Sequence, residues 1–348
     1  MFIPQNEIIK SEYDRGISVK DMFRISNVGI VTSKDAVLIA NDKEELENKI
    51  LKNYNEFDAS FVNIISYRPF DKRFIYYDDK KLERARKDVM EHFLNNKNNI
   101  GLVCDRGTKL QDISNIFISD KLIDLHLVGS GSYILPLYIY DTENVRKILR
   151  EENEEVGGMF EDIKHFENKV RIENFTPKFR KFINEKYGEI KPEEILGYIY
   201  AVLFHKEYRK KYLDFLKIDF PKIPFVESKD YFLKFAKLGE ELYNLHLGNL
   251  KIQKEVGEPM FKDNKNKNEK IVKAIYNENE KDLFVNESLY FKNIDKEVWE
   301  YKIGGYQVLD KYLKSHKNEN IDYEHFENVI KILTRSIEIE AEISILEF

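Results

Sequence analysis

The spacing of apolar residues changes character along this chain, and that change limits what it can fold into. From Phe61 to Tyr140 short β-rich runs recur: FVNIISY at 61–67, RFIYY at 73–77, IGLVC at 100–104, NIFIS at 115–119 and ILPLYIY at 134–140. Runs of this length, rich in branched and aromatic residues and bounded by polar or turn-forming ones, predict strands. Among them KKLERARKDVMEHFLNN, 80–96, sets Leu82, Ala85, Val89 and Phe93 at helical spacing and predicts a helix. After Pro192 the helical period dominates: Ile195, Tyr198, Ile199, Val202 and Leu203 share one face, and Phe232, Phe235, Leu238, Leu242 and Leu245 share another. The pattern reads as α+β (mixed α/β), with an α/β part followed by a more helical part.

Local signals punctuate this pattern. Asp42 followed by Glu45 resembles a capping box and predicts a helix near 43–53. Arg68-Pro69-Phe70-Asp71-Lys72 predicts a turn between two strands. Pro192 is a good first helical residue, whereas Pro221 and Pro224 make 219–225 an extended connector. The stretch 257–270, GEPMFKDNKNKNEK, reads as a polar loop, and Phe326, Val329, Ile330, Leu333 and Ile337 predict a C-terminal helix. Four segments result: an opening segment to residue 56, a mixed α/β unit over 57–150, an acidic connector over 151–191 that includes Gly157-Gly158, and a helical or α+β scaffold over 192–348.

Composition narrows the class. Hydrophobic residues make up 42% of the 348 and aromatic residues 13%, enough to build a core. No apolar run approaches the roughly 18 residues of a membrane helix. The N-terminus lacks a secretory pattern, and the single cysteine, Cys104, permits no internal disulfide, so a cytoplasmic location is expected. A net charge of −6 argues against a nonspecific polyanion binder, without excluding a local basic face.

Catalytic motifs are missing. No Gly-Lys is followed by a hydroxyl residue, as a phosphate-binding loop requires. Gly129-Ser130-Gly131 fails the dinucleotide pattern, because Ile134 stands where Gly or Ala is needed. No two prolines are adjacent, which removes the Pro-Pro-aromatic loop of DNA amino-methyltransferases. The seven histidines form neither HxH nor HExxH, and His205 and His246 beside apolar faces read as structural. What remains is charge: from Tyr67 to Lys109 eleven basic residues face seven acidic ones, a local excess of four in an acidic chain.

Several strings then take on meaning together. ISYRPFDKRFIYYD at 65–78, FISDKLIDLH at 117–126 with SYILPLYIY at 132–140, GYIYAVLFHKEYRKKYLDFLKIDFPKIPF at 197–225, LGEELYNLHL at 238–247 and IGGYQVLDKYLK at 303–314 occur in one order. They resemble the C-terminal specificity region of the type ISP restriction-modification enzymes. These are single polypeptides whose other parts are a nuclease, a helicase-like motor and an adenine methyltransferase. The opening, YDRGISVKDMFRISNVGIVTSKD at 13–35, is similar to the segment that follows the methyltransferase in that family.

The resemblance implies a target recognition domain that grips duplex DNA and reads a short asymmetric site, directing a methyltransferase and nuclease carried elsewhere. It implies no catalytic residue, cofactor or metal in this chain; S-adenosylmethionine, Mg and ATP would belong to the missing domains. The partners are double-stranded DNA and the methyltransferase, nuclease and translocase parts, with no membrane. Candidate DNA-contacting residues are Arg68, Arg73, Arg84, Arg86, Arg106 and Lys109, with Ser130 and Ser132 as hydroxyls on the glycine-rich loop. The corner Arg68-Pro69-Phe70-Asp71-Arg73 can equally be architectural, through an Arg–Asp pair. Two other readings stay open: a complementing half of a split adenine methyltransferase, and a folded remnant that binds no DNA.

Overall fold

Pro69 and Phe70 turn the chain between the antiparallel strands Val62–Arg68 and Asp71–Tyr76, with Arg68 opposite Asp71. Phe70 takes a φ of 62°, a region bulky residues avoid, and its ring is buried edge-on against Phe117 and His246. Those contacts hold the strained turn in place. The protein is described by a computed structural model over residues 7–347, except 96, 112, 130, 157–170, 251, 254 and 263–266.

Two four-stranded sheets organise the first half. One runs Asn27–Val28, Ser132–Pro136, Gly101–Asp105, Ile116–Ser119, all antiparallel. The other runs Ile39–Ala40, Asp71–Tyr76, Val62–Arg68, Leu122–Ile123, with the last pair parallel. The short link from Ser119 to Leu122 carries the chain from one sheet to the other, and the Ser66 and Ser119 hydroxyls bond across the junction at 2.8 Å. The central strand Gly101–Asp105 and the edge strand Ile116–Ser119 are buried along their whole length, which explains their apolar sequences.

The helix predicted over 80–96 is a correction. Only Lys87–Met90 is α-helical, followed by one 3₁₀ turn, Glu91–Phe93. Arg84 pairs its backbone with Val31 instead, and Arg86 adopts a left-handed φ of 54°. A strand-like contact therefore overrides the helical spacing. The acidic run Glu151–Glu155 ends a helix, Glu143–Val156. Beyond the undescribed residues, Arg171–Glu173 pairs with Tyr138–Tyr140. The fully buried Asn174 side chain then bonds Ile25 and Pro136 backbone groups.

The second half centres on two helices, Pro192–Phe204 and Lys229–Leu247, with Tyr323–Ser344 packed across them. His246 lies fully inside, bonded to the Tyr200 hydroxyl at 2.7 Å and to Ser336 at 3.1 Å. His205 bonds the Leu346 carbonyl at 2.8 Å. The predicted polar loop over 257–270 contains a strand, Pro259–Phe261, which pairs with Leu289–Phe291 in a third sheet. One core cluster extends from Tyr13 to Ile343. No helix among the described residues is long and apolar enough to cross a membrane. The fold is α+β, as the changing period predicts.

Candidate nucleic-acid interface

The strands of the first sheet end at a cluster of loops. Residues 106–115 leave the strand Gly101–Asp105, residues 124–131 enter the strand Ser132–Pro136, and the turn between Lys302–Ile303 and Tyr306–Gln307 comes from the second half. Gly304 locks them together. Its amide donates to the Ser114 carbonyl at 2.6 Å, the Ser114 hydroxyl donates back to its carbonyl at 2.9 Å, and the Gly305 amide reaches Val128 O at 3.2 Å. A Cβ on Gly304 would lie 1.4 Å from that Val128 oxygen, and its φ of 61° is itself left-handed. Only glycine fits this position.

Arg68 reaches the cluster from the turn. Its Nη1 donates to Asp124 Oδ1 at 2.6 Å and to the Tyr67 carbonyl, and the guanidinium lies 4.1 Å above the Tyr67 ring and 5.7 Å from that of Tyr306. Its Nε is buried with no hydrogen-bond partner among the described residues. Burial pushes the Asp124 carboxyl up, more than Arg68 lowers it. Tyr306 donates its hydroxyl to the His126 carbonyl at 2.9 Å, and Lys311 Nζ sits 5.2 Å from the Tyr306 ring. Burial, and next the Arg68 charge, push the Lys311 ammonium down. Half-buried, it has no carboxylate within ion-pair distance among the described residues. This corner therefore holds a cation in an already positive field.

Arg73 turns the other way. Its Nε and Nη2 bind both oxygens of Asp71, at 2.8 to 3.2 Å, and its guanidinium lies 4.5 Å from the centre of the Tyr67 ring. Asp71 is 3% exposed and also faces His316 Nε2 at 3.5 Å. Burial raises the Asp71 carboxyl, but the bonds to His316 and Arg73 outweigh it and leave the net shift downward. His316 shows the mirror image: burial lowers it, while Asp71 and Glu319, the latter 2.8 Å away, shift it upward overall.

That upward shift fixes a sign. The stabilisation from His316 is complete below the ordinary histidine value of 6.5 and is lost as pH rises through the raised folded value. Burial pushes His92, His205, His246 and His325 down, and these act in the opposite sense, so between about pH 5.5 and pH 8.5 the Tm of the wild type should fall relative to that of His316→Gln, whose slope of Tm against pH should be the more positive. An equally steep slope in the variant would assign the dependence to another group.

The remaining candidates divide by exposure. Arg84 is exposed, 3.5 Å from Glu83, and Lys109 is exposed on the 106–115 loop. Arg106 pairs with Asp219 at 2.8 Å, but both side chains are more than half exposed, so the pair contributes little. Arg86 is half-buried, and its Nε has no partner among the described residues. Ser130 lies outside the described residues. Ser132 is a correction: it is 0% exposed and accepts the Val128 amide at 2.9 Å, so it shapes the loop and offers no hydroxyl outward.

Arg68, Arg106 and Lys109 thus come together on the loop cluster. Isolated bridges set Asp124 beside Ile30, and Val31 beside Arg84. At about 4.8 Å per row, the Arg84 backbone lies roughly 10 Å from that of Asp124, on the flank of the cluster. Arg73 belongs to the Asp71–His316 network behind it. Sequence reasoning missed Tyr306 and Lys311, although both lie in the string IGGYQVLDKYLK, where a Gly-Gly turn presents a tyrosine and a lysine.

Comparison with known proteins gives the family and the fold. The model of the type ISP C-terminal specificity domain matches residues 49–345. The fold is similar to that of a nuclease-deletion mutant of the type ISP restriction-modification enzyme LlaGI, solved in complex with a DNA substrate mimic. That match has a TM-score of 0.69 and 19% identity over 95% of this chain and 34% of that one. It is similar to the ATP-dependent type ISP enzyme LlaBIII bound to DNA, with a TM-score of 0.71 and 20% identity over 97% of this chain and 24% of that one. In a DrdV–DNA complex the values are 0.71 and 19%, over 99% of this chain and 38% of that one. No curated protein matches the sequence. The chain spans between a quarter and two fifths of the length of these structures, and at such identities the likeness is one of fold. With the family model covering most of its length, the chain belongs to the type ISP C-terminal specificity domain family.

Proposed function

We propose that this domain binds duplex DNA and reads a short asymmetric site, directing an adenine methyltransferase and a nuclease carried by other parts of a type ISP restriction-modification enzyme. The loop cluster carries this reading: on a chain of net charge −6 it gathers Arg68, Arg106, Lys109, Tyr306 and Lys311, and neither lysine has a carboxylate partner among the described residues. Strands that present cationic loops are a common way to build a binding face. Arg84, Arg106 and Lys109 clamp phosphates and set the register. Lys311 and Tyr306, closer to the middle, face base edges. Arg68 and Arg73 act from behind, through Asp124 and Asp71. Residues 57–150 supply most of the face, and 192–348 the scaffold together with the 303–311 segment.

Arg106→Glu combined with Lys109→Glu tests the assignment. Both side chains are exposed, so Tm should hold, while duplex affinity at low salt should fall at least tenfold. The slope of log K against log salt should fall by about 2. Unchanged affinity would place the DNA on another face.

A further inference from the structure

Beside the interface, a cavity of about 830 Å³ opens between the helix Lys206–Lys211, the segment Glu300–Lys302 and the loop that carries Gln111 and Ser114. Lys206, Arg209, Lys210 and Lys302 line it. No carboxylate lies within ion-pair distance of any of these four cations among the described residues. Two acids also line the cavity. Glu300 is exposed, whereas Glu340 is 8% exposed, accepts the Tyr301 hydroxyl, and is held above the usual carboxylate range by burial. Arg209 and Lys206 partly offset that rise, and with four cations against two acids the wall keeps a positive excess.

Arg209 is fixed in this wall. Its Nε donates to the Leu203 carbonyl at 2.5 Å and its guanidinium lies 4.4 Å over the Phe204 ring. Its Nη2 is enclosed and has no hydrogen-bond partner among the described residues. A guanidinium held by stacking and one backbone bond, with donors to spare and lysines around it, suits an oxyanion of phosphate type. The position says which phosphate. Ser114, on the cavity wall, bonds Gly304 of the interface turn, and the same loop bears Arg106 and Lys109.

We infer that this cavity seats a backbone phosphodiester of the bound duplex, outside the base pairs that the loop cluster faces, an inference that rests on the DNA-binding reading above. The contact is independent of sequence, because a phosphodiester is the same at every step; of the two amide side chains on the wall, Gln307 donates to the Trp299 carbonyl at 2.6 Å and Gln111 lies exposed on its loop. It extends the footprint along the duplex and adds affinity that salt removes.

The test replaces the exposed rim and leaves Arg209 in place. The full chain and its Lys206→Gln/Lys210→Gln/Lys302→Gln variant are titrated with duplexes of two lengths, one limited to the recognised site and one extended on both sides, over a series of salt concentrations. The wild type should bind the longer duplex more tightly, and the variant should lose that gain. Its salt slope should fall by about 2 to 3, with Tm unchanged. Equal slopes and equal length dependence in the two proteins, with the wild type binding DNA, would overturn the cavity assignment alone. A wild type that binds neither duplex would overturn the DNA-binding reading itself. Inorganic phosphate at constant ionic strength provides the last arm: if it raises the Tm of the wild type and not of the variant, while duplex binding is the same in both, the site takes a free anion and the assignment to DNA fails.

Discussion

Gly239→Ala should lower the melting temperature by roughly 10 °C. A Cβ there would lie 1.8 Å from the Gly197 carbonyl oxygen, 2.7 Å from its carbon and 2.9 Å from the Ala201 nitrogen. All three are backbone atoms, so no rotamer relieves the overlap, and the helices Pro192–Phe204 and Lys229–Leu247 must separate instead. Separation loosens the stack of Tyr198 on Phe232, whose centroids are 4.3 Å apart, and the Tyr200–His246 bond. Overpacking at a backbone-to-backbone crossing of this kind costs about 3 to 5 kcal/mol, and at about 2 to 4 °C per kcal/mol that gives the stated shift. Gly131→Ala is the control, because nothing among the described residues lies within 4 Å of its Cβ. Equal melting temperatures for the two variants would mean that the helix crossing is looser than the packing indicates.

Asp124→Ala should cost about 3 to 5 kcal/mol, because it leaves the buried Arg68 guanidinium without its counter-ion. Arg68 already has one enclosed nitrogen lacking a partner among the described residues, and Asp124 also accepts the His126 amide at 2.8 Å at the base of the 124–131 loop. Replacing both, as Arg68→Leu/Asp124→Leu, should cost less than the single change, since no charge is then stranded. Arg106→Ala gives the opposite profile: under about 1 kcal/mol in stability, its partner being exposed, and a clear loss in duplex affinity. Urea denaturation of the three variants, set beside their duplex titrations, separates architecture from contact. A mild Asp124→Ala variant with weakened DNA binding would move Arg68 from the scaffold to the contact surface.

Local chemistry was well written in the sequence. Asp42 caps its helix through the Glu45 amide at 2.7 Å, and Pro192 opens a helix whose Lys191 amide is held by Glu194 at 2.8 Å. Such signals act within four residues and need no tertiary knowledge. The 80–96 stretch was misread because its spacing is helical while its backbone partner, Val31, lies about fifty residues away in sequence. The candidate site was legible in part. Charge excess singled out Arg106 and Lys109, but whether an arginine is free or clamped depends on a distant carboxylate, as with Arg68 and Asp124. Ser132 looked like an adaptable hydroxyl on a glycine-rich loop, yet the loop folds over it. Tyr306 and Lys311 join the cluster only because Gly304 lets a turn from the second half approach Val128 so closely.

The central claim, that this domain reads duplex DNA by itself, is tested most directly by selection from a randomised pool of duplexes at low and moderate salt, with sequencing of the retained fraction. The account predicts retention that weakens as salt rises and enriches one short asymmetric motif, with enrichment lost in the Arg106→Glu/Lys109→Glu variant. Absence of retention at low salt, or retention with no enriched motif, would contradict it.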